Sequence, residues 1–493
     1  MADELIEVDT RGGRVRGRRR GIPRSDVRSA AFLGIPFAQP PVGALRFAAP
    51  EPVQPWEGVR DATAYGPTPQ RWVDPAGTLI PEPAIPGAAT LNVSVFTPRP
   101  DAAAKLPVMV WIHGGGYVSG SPASPWYDGR AFNRDGVVTV SVSYRLGFDG
   151  FGWIDGAPQN RGVLDWIAAL EWVRDNIAAF GGDPGDVTIA GQSAGGGAVL
   201  TLLALPAAQG LFHRALAISG ALGDIPPQRA QATSRRLADL LGVPPTRDGF
   251  ASAPEKAIGK HQVPAAQPPG LTGLEALRQA LADAVPYGPV IDGELLTQGT
   301  VAALAAGTGA GTPLLLGSTD DEFAMILNGS RKTLRFVPPG LALRLLAPEL
   351  PARRAYRRAN PELRGSAALL GRYVSDQVFR SLVVRVAEAR RDAPTWAYRF
   401  AWVSPTHDLA LHCLDVPFWF DCLDAPGVPA IAGGSPPQAL ADALHGSAAA
   451  WVREGDPGWP AWSSRPGTTR IFGAEASTPD VSPDGYASVR ALV

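Results

Sequence analysis

A handful of serine, glycine and histidine positions carry most of the chemical information in this chain. Gly191-Gln192-Ser193-Ala194-Gly195 is a G-x-S-x-G run. It follows the apolar stretch Val187–Ala190, which reads as a strand, and opens the apolar stretch Ala194–Leu205, which reads as a helix stopped by Pro206. A serine on a strand-to-helix turn sits on strained backbone. Glycines two before and two after it let the turn close and leave the hydroxyl in the open. The N–H groups that open the helix aim at the same spot and favour developing negative charge. The chemistry this suits is nucleophilic attack by Ser193 on an acyl carbon. Small residues at a strand–helix junction can also serve close packing alone, but the flanking strand and helix favour the nucleophile.

A second signal is independent of the first. The apolar run Val108–Ile112 ends in His113-Gly114-Gly115-Gly116. Acyl transfer passes through a tetrahedral oxyanion, and backbone N–H donors free of side chains stabilise it best. Gly115, Gly116 and Ala194 would supply three such donors. A serine nucleophile also needs a base, and the chain has six histidines. His113 belongs to the glycine loop, His213 to an apolar stretch, His261 to a Pro-rich region and His445 to a helix-like run. The chain order Ser…acid…His puts the base late, which leaves His407 and His412. The acid should follow a strand between the two. Leu314–Leu316 leads into Asp320, Asp321 and Glu322, and position alone does not choose among these carboxylates.

The elements that must hold these groups are legible as alternating patterns. Apolar or alternating runs at Val93–Phe96, Val108–Ile112, Val137–Ser143, Val187–Ala190, Ala215–Ile218, Leu314–Leu316 and Trp396–Trp402 read as strands. Val163, Ile167, Leu170, Val173 and Ile177 form one face of a helix that stops at Gly181-Gly182-Asp183-Pro184. Strands alternating with helices imply an α/β fold with a large, mostly parallel sheet covered on both faces. Residues 323–391, rich in Leu, Ala and Arg at helical spacing, read as a helical insertion within a single catalytic domain spanning 1–493.

Composition narrows the function. Lys plus Arg number 45 and Asp plus Glu 46, a net charge of -1. With no basic surplus, nucleic-acid binding is not expected. No run is long and apolar enough to span a bilayer, and the acidic start Met1-Ala2-Asp3-Glu4 is unlike a signal peptide. Cys413 and Cys422 are the only cysteines and are expected as two reduced thiols. A cytoplasmic enzyme without metal or organic cofactor is the expectation, acting on a small molecule.

Together these residues resemble the type-B carboxylesterase family, which includes the cholinesterases and the bacterial para-nitrobenzyl esterases. The likeness covers nearly the whole chain. It includes Gly34-Ile35-Pro36-Phe37-Ala38-Gln39-Pro40-Pro41, Tyr144-Arg145-Leu146-Gly147, Phe180-Gly181-Gly182-Asp183-Pro184 and Val290-Ile291-Asp292-Gly293. It implies the α/β-hydrolase fold and a carboxylic ester hydrolase with Ser193 as nucleophile, His412 as base and Glu322 as acid. It also implies a supporting hydrogen bond from Ser219, and it keeps Gly115, Gly116 and Ala194 as the oxyanion hole. The chain departs from the pattern in having Gln192 where Glu is common, Phe323 where Gly usually follows the acid, and no Cys in Thr90-Leu91-Asn92-Val93. The aromatic residues Tyr117, Trp126, Trp153, Phe418, Trp419 and Phe420 are candidates for an acyl or alcohol pocket. Carbamate, amide or lactone cleavage would use the same groups. A non-catalytic binding protein is the remote alternative, disfavoured because all three candidate groups are present.

Overall fold

Strands buried on both faces need apolar residues at every position, and the middle of this sheet is built from such runs. The structure, a computed structural model, describes residues 4–22, 25–69, 78–271, 273–348, 351–473 and 480–493. Its strands in chain order begin with β1 (Glu4–Thr10), β2 (Gly13–Gly21), β3 (Arg28–Pro36), β4 (Val59–Asp61) and β5 (Asn92–Thr97). Next come β6 (Leu106–Ile112), β7 (Val138–Val142), β8 (Gly182–Gln192), β9 (Arg214–Ile218) and β10 (Leu314–Thr319). The last are β11 (Thr395–Phe400), β12 (Thr469–Phe472) and β13 (Asp480–Ser482). They form one sheet in the order β1-β2-β3-β5-β7-β6-β8-β9-β10-β11-β12-β13, with β4 beside β2. The run from β7 to β12 is parallel, and both margins are antiparallel.

The two-residue period of β6 shows how the sheet divides the core. Val108, Val110 and Ile112 join one hydrophobic cluster, and Met109 and Trp111 join another. The first cluster is covered by the helices Arg161–Asn176 and Ala194–Leu203, the second by Gln438–Glu454 and the turn around Phe418. The chain has the α/β-hydrolase fold expected of it.

Two features went unread in the sequence. The hairpin β1–β2 is rich in Arg and Glu and lacks an apolar run. Its alternating charges pair across the strands instead, Arg16 with Glu7 and Arg14 with Asp9. Strand β8 also starts at Gly182, earlier than Val187, and runs through Pro184 where the pairing with β6 shifts register. Between β10 and β11 lie the helices Pro339–Leu346, Arg353–Ala359, Ser366–Ser375 and Ser381–Ala389, partly packed around a smaller core that includes Leu343, Tyr356 and Leu369. The last two are joined by a π-helical turn, Asp376–Arg380. Among the described residues no helix is long and apolar enough to cross a membrane.

Parallel register brings the carboxyl ends of the central strands to one edge of the sheet. Ile112 of β6 lies opposite Gly191 of β8, Gln192 opposite Ile218 of β9, and Thr319 of β10 opposite Phe400 of β11. The candidate residues sit on the loops just beyond that edge.

Candidate active site

Ser193 ends β8 and begins the helix Ala194–Leu203, with φ +58° and ψ −123°. This left-handed value is unusual for a residue with a side chain. It is held by backbone bonds: Ser193 N–H donates to Ile218 O at 2.9 Å, and Ser193 O accepts from Gly197 and Ala221 N–H at 2.9 and 3.0 Å. The flanking glycines are required by contact. A Cβ on Gly191 would lie 2.4 Å from Gly195 O, and one on Gly195 only 2.0 Å from Ile112 O. The G-x-S-x-G spacing is thus a steric requirement of packing the elbow against β6.

The glycine loop after β6 closes on the same serine. A Cβ on Gly114 would sit 3.0 Å from Ser193 Cβ. Gly115 has φ +112° and a Cβ there would strike Ser119 O, while Gly116 has φ +59°. Ser119 N–H donates to Gly115 O at 2.9 Å and tightens the turn. The N–H groups of Gly115, Gly116 and Ala194 donate no hydrogen bond among the described residues. Their loops therefore present unused donors beside Ser193, an arrangement that can receive an oxyanion.

His412 lies on the loop after β11, 4% exposed. Its Nδ1 pairs with Glu322 Oε2, and its backbone N–H donates to Glu322 O at 3.0 Å. The other carboxylate oxygen, Oε1, accepts from Thr319 N–H at 2.9 Å. Glu322 is fully buried and held at both oxygens. Because a carboxylate only accepts, the ring proton of neutral His412 resides on Nδ1 and Nε2 keeps its lone pair. Burial works against the charged imidazolium, but the contact with Cys413 and the carboxylate of Glu322 outweigh it. The proton affinity of the ring stands well above its ordinary value.

The three consecutive carboxylates have separate partners. Asp320 is bound by Arg399 at 2.8 and 2.7 Å, with Arg380 at 3.7 Å. Asp321 accepts from Arg372 and from Ala410 N–H, both at 3.0 Å, and its own N–H donates to Ala410 O at 2.9 Å. Only Glu322 reaches a histidine. The loops after β10 and β11 are thereby stitched together at Asp321–Ala410 and Glu322–His412. Phe323, the residue that departs from the family pattern, sets its ring edge-on to His412 with centroids 4.8 Å apart. The π-helical turn supplies Phe379 on the same ring at 4.7 Å.

Three of the other histidines are engaged elsewhere. His407 bonds Ala430 O from a turn, His213 accepts from Val187 N–H, and His445 bonds Trp419 O and Asp135. Ser219 is buried at φ +45°, and its Oγ has no hydrogen-bond partner among the described residues, so the supporting bond implied for it is not made here. The proposed aromatic pocket also needs correction. Tyr117, Trp126, Phe418, Trp419 and Phe420 are each at most 1% exposed and pack into the cores. Cys413 and Cys422 are buried and not bonded to each other.

Three features had no signal in the sequence. Gln192 Nε2 lies 3.2 Å from both His412 Nε2 and Cys413 Sγ. Ser193 Oγ makes no hydrogen bond among the described residues. Asp415, three residues beyond His412, is buried and accepts from Tyr398 and Trp419 at 3.2 Å. Burial and nearby Glu322 push its carboxyl up to about 7, against the hydrogen bond from Trp419, the charge of His412 and the hydrogen bond from Tyr398.

The Carboxylesterase family model matches residues 4–337. The chain is 34% identical over 464 residues to the para-nitrobenzyl esterase of Bacillus subtilis (strain 168), covering 90% of this chain and 91% of that protein. It is 32% identical over 507 residues to the phenmedipham hydrolase of Pseudarthrobacter oxydans, covering 94% and 95%. A crystal structure of a Geobacillus stearothermophilus carboxylesterase superposes with a TM-score of 0.82 at 33% identity, covering 98% of this chain and 99% of that one.

Proposed function

The chain belongs to the carboxylesterase family and is a carboxylic ester hydrolase, and from that premise we propose that Ser193 is its nucleophile, His412 its base and Glu322 its acid. His412 Nε2 takes the proton of Ser193 Oγ as the oxygen bonds to the ester carbonyl carbon. The carbonyl oxygen, now an oxyanion, is received by the N–H groups of Gly115, Gly116 and Ala194. The imidazolium then gives its proton to the departing alkoxide, which leaves as alcohol, and the acyl group stays on Ser193. Water repeats the sequence with the same base, releasing the acid and restoring the serine. Glu322 fixes the tautomer and stabilises the imidazolium at each stage.

The observation that carries this reading is the pairing of His412 Nδ1 with a fully buried Glu322 whose other oxygen is already bonded. That arrangement leaves Nε2 as the only proton-accepting position on the ring. The chain acts on small-molecule esters, and residues 1–493 are read as one catalytic domain with the helices of 323–391 inserted in it. The separate thiols of Cys413 and Cys422 suit a reducing cytoplasm.

Release of p-nitrophenol from a short-chain p-nitrophenyl ester tests the assignment. Ser193→Ala is expected to lower kcat by more than about 10⁴-fold while the protein stays folded. Equal turnover by the variant removes Ser193 as nucleophile.

A further inference from the structure

We propose that Gln192 is a positioning residue for the base, its side-chain amide N–H holding Nε2 of His412 whenever the ring is neutral and releasing it to Ser193 when substrate arrives. The inference rests on the assignment of Ser193 and His412 above. Gln192 is 1% exposed at the last position of β8, next to the nucleophile in sequence. Its Nε2 lies 3.2 Å from His412 Nε2, and the proton on Nδ1 leaves that atom able only to accept. The amide is held in turn by its contact with Cys413 Sγ at 3.2 Å. In the neutral ring the lone pair that must take the serine proton is therefore already engaged, and by the residue adjoining that serine.

An amide is suited to this place because it cannot follow the proton. An N–H directed at the lone pair favours the neutral ring and opposes the imidazolium. The other groups facing His412 pull in the opposite direction or not at all. Glu322 on the β10 loop favours the imidazolium, as does Cys413 on its own loop. Asp415 adds a further carboxyl that responds to the charge on the ring. Phe323 and Phe379 present uncharged rings, and Asp321 is neutralised by Arg372. Gln192 thus opposes Glu322 directly at Nε2, the atom that exchanges the proton. In catalysis Nε2 exchanges one hydrogen bond for another, from Gln192 to Ser193, without rotation away from Glu322.

The test is the pH profile of kcat/KM for p-nitrophenyl acetate with wild type, Gln192→Glu and Gln192→Met. A carboxylate at this position accepts from Nε2–H and stabilises the imidazolium, so the acid limb of Gln192→Glu moves to higher pH by about one unit. Gln192→Met keeps the bulk and loses the donor, so its limb moves the same way by less. If both variants turn over with the wild-type inflection, or if Gln192→Met shifts as far as Gln192→Glu, the proposal is overturned and Gln192 only packs. Should Gln192→Glu fail to fold, the Gln192→Met limb decides alone. Labelling of Ser193 by a fluorophosphonate reports the nucleophile separately. Wild-type protein that resists the label overturns the triad assignment, whereas labelling with unmoved limbs overturns only the role of Gln192.

Discussion

Asp415 keeps one carboxyl oxygen, Oδ1, buried without a hydrogen-bond partner among the described residues. Its other oxygen receives both Tyr398 and Trp419. With its pKa raised to about 7, the folded protein binds this proton more tightly than the unfolded chain does. Stability is then withdrawn as pH climbs from the ordinary carboxylate range through about 7. Asp415→Asn is expected to raise the melting temperature at pH 8 by about 1–3 °C and to raise it less at pH 5. A gain equal at both pH values, followed by circular dichroism, would contradict the assigned protonation. Residues of this kind mark where sequence reading stopped. Ser193, Gly115 and Gly116 were legible because their constraint is local: a sharp turn excludes Cβ atoms. The contact of Gln192 with His412 joins a strand end to a loop far away in the chain, and no local pattern encodes it. The choice of Glu322 over Asp320 and Asp321 likewise needed the family likeness, since the arginines that engage the other two come from distant elements.

At the level of elements, the loops after β10 and β11 act as one unit. Asp321 reaches Ala410 by both its backbone and its side chain, and Glu322 reaches His412 in the same double way. Arg372, from the helix Ser366–Ser375, steadies Asp321 from behind. Asp321→Ala removes the side-chain half of the first stitch. Catalytic alignment is sensitive to displacements near 1 Å, so kcat should fall by about 10- to 100-fold with KM nearly unchanged. Steady-state kinetics on a p-nitrophenyl ester reads the difference, and a rise in KM at constant kcat would place Asp321 in substrate binding instead. The strands under these loops were read from their apolar runs, and the central ones lie where expected. The charged hairpin β1–β2 was missed because its residues pair with one another instead of burying.

For the whole molecule, buried and exposed ion pairs divide the labour unequally. Arg145 and Asp165, 5% and 0% exposed at their side chains, meet at 2.7 Å. Arg145 also donates to Ala48 O at 2.6 Å and to Arg161 O at 3.4 Å, tying the segment around Ala48 to the helix Arg161–Asn176. Arg145→Met strands the Asp165 carboxylate in the core and should cost about 3–5 kcal/mol. On the margin of the sheet, Glu7→Gln breaks a solvent-exposed contact with Arg16 and should cost under about 1 kcal/mol. Denaturant midpoints for the two variants check the contrast, and similar losses in both would refute it.

The order in which these parts leave the ribosome has its own consequence. The backbone bonds that hold Ser193 and the loop Gly114–Gly116 reach no further along the chain than Ala221. The proposed acid and base, Glu322 and His412, come only with the loops after β10 and β11, late in synthesis. If Ser193, Glu322 and His412 act as proposed, a chain that has not yet reached β11 and the loop beyond it holds the serine without its base, and ester cleavage must wait until synthesis has passed His412.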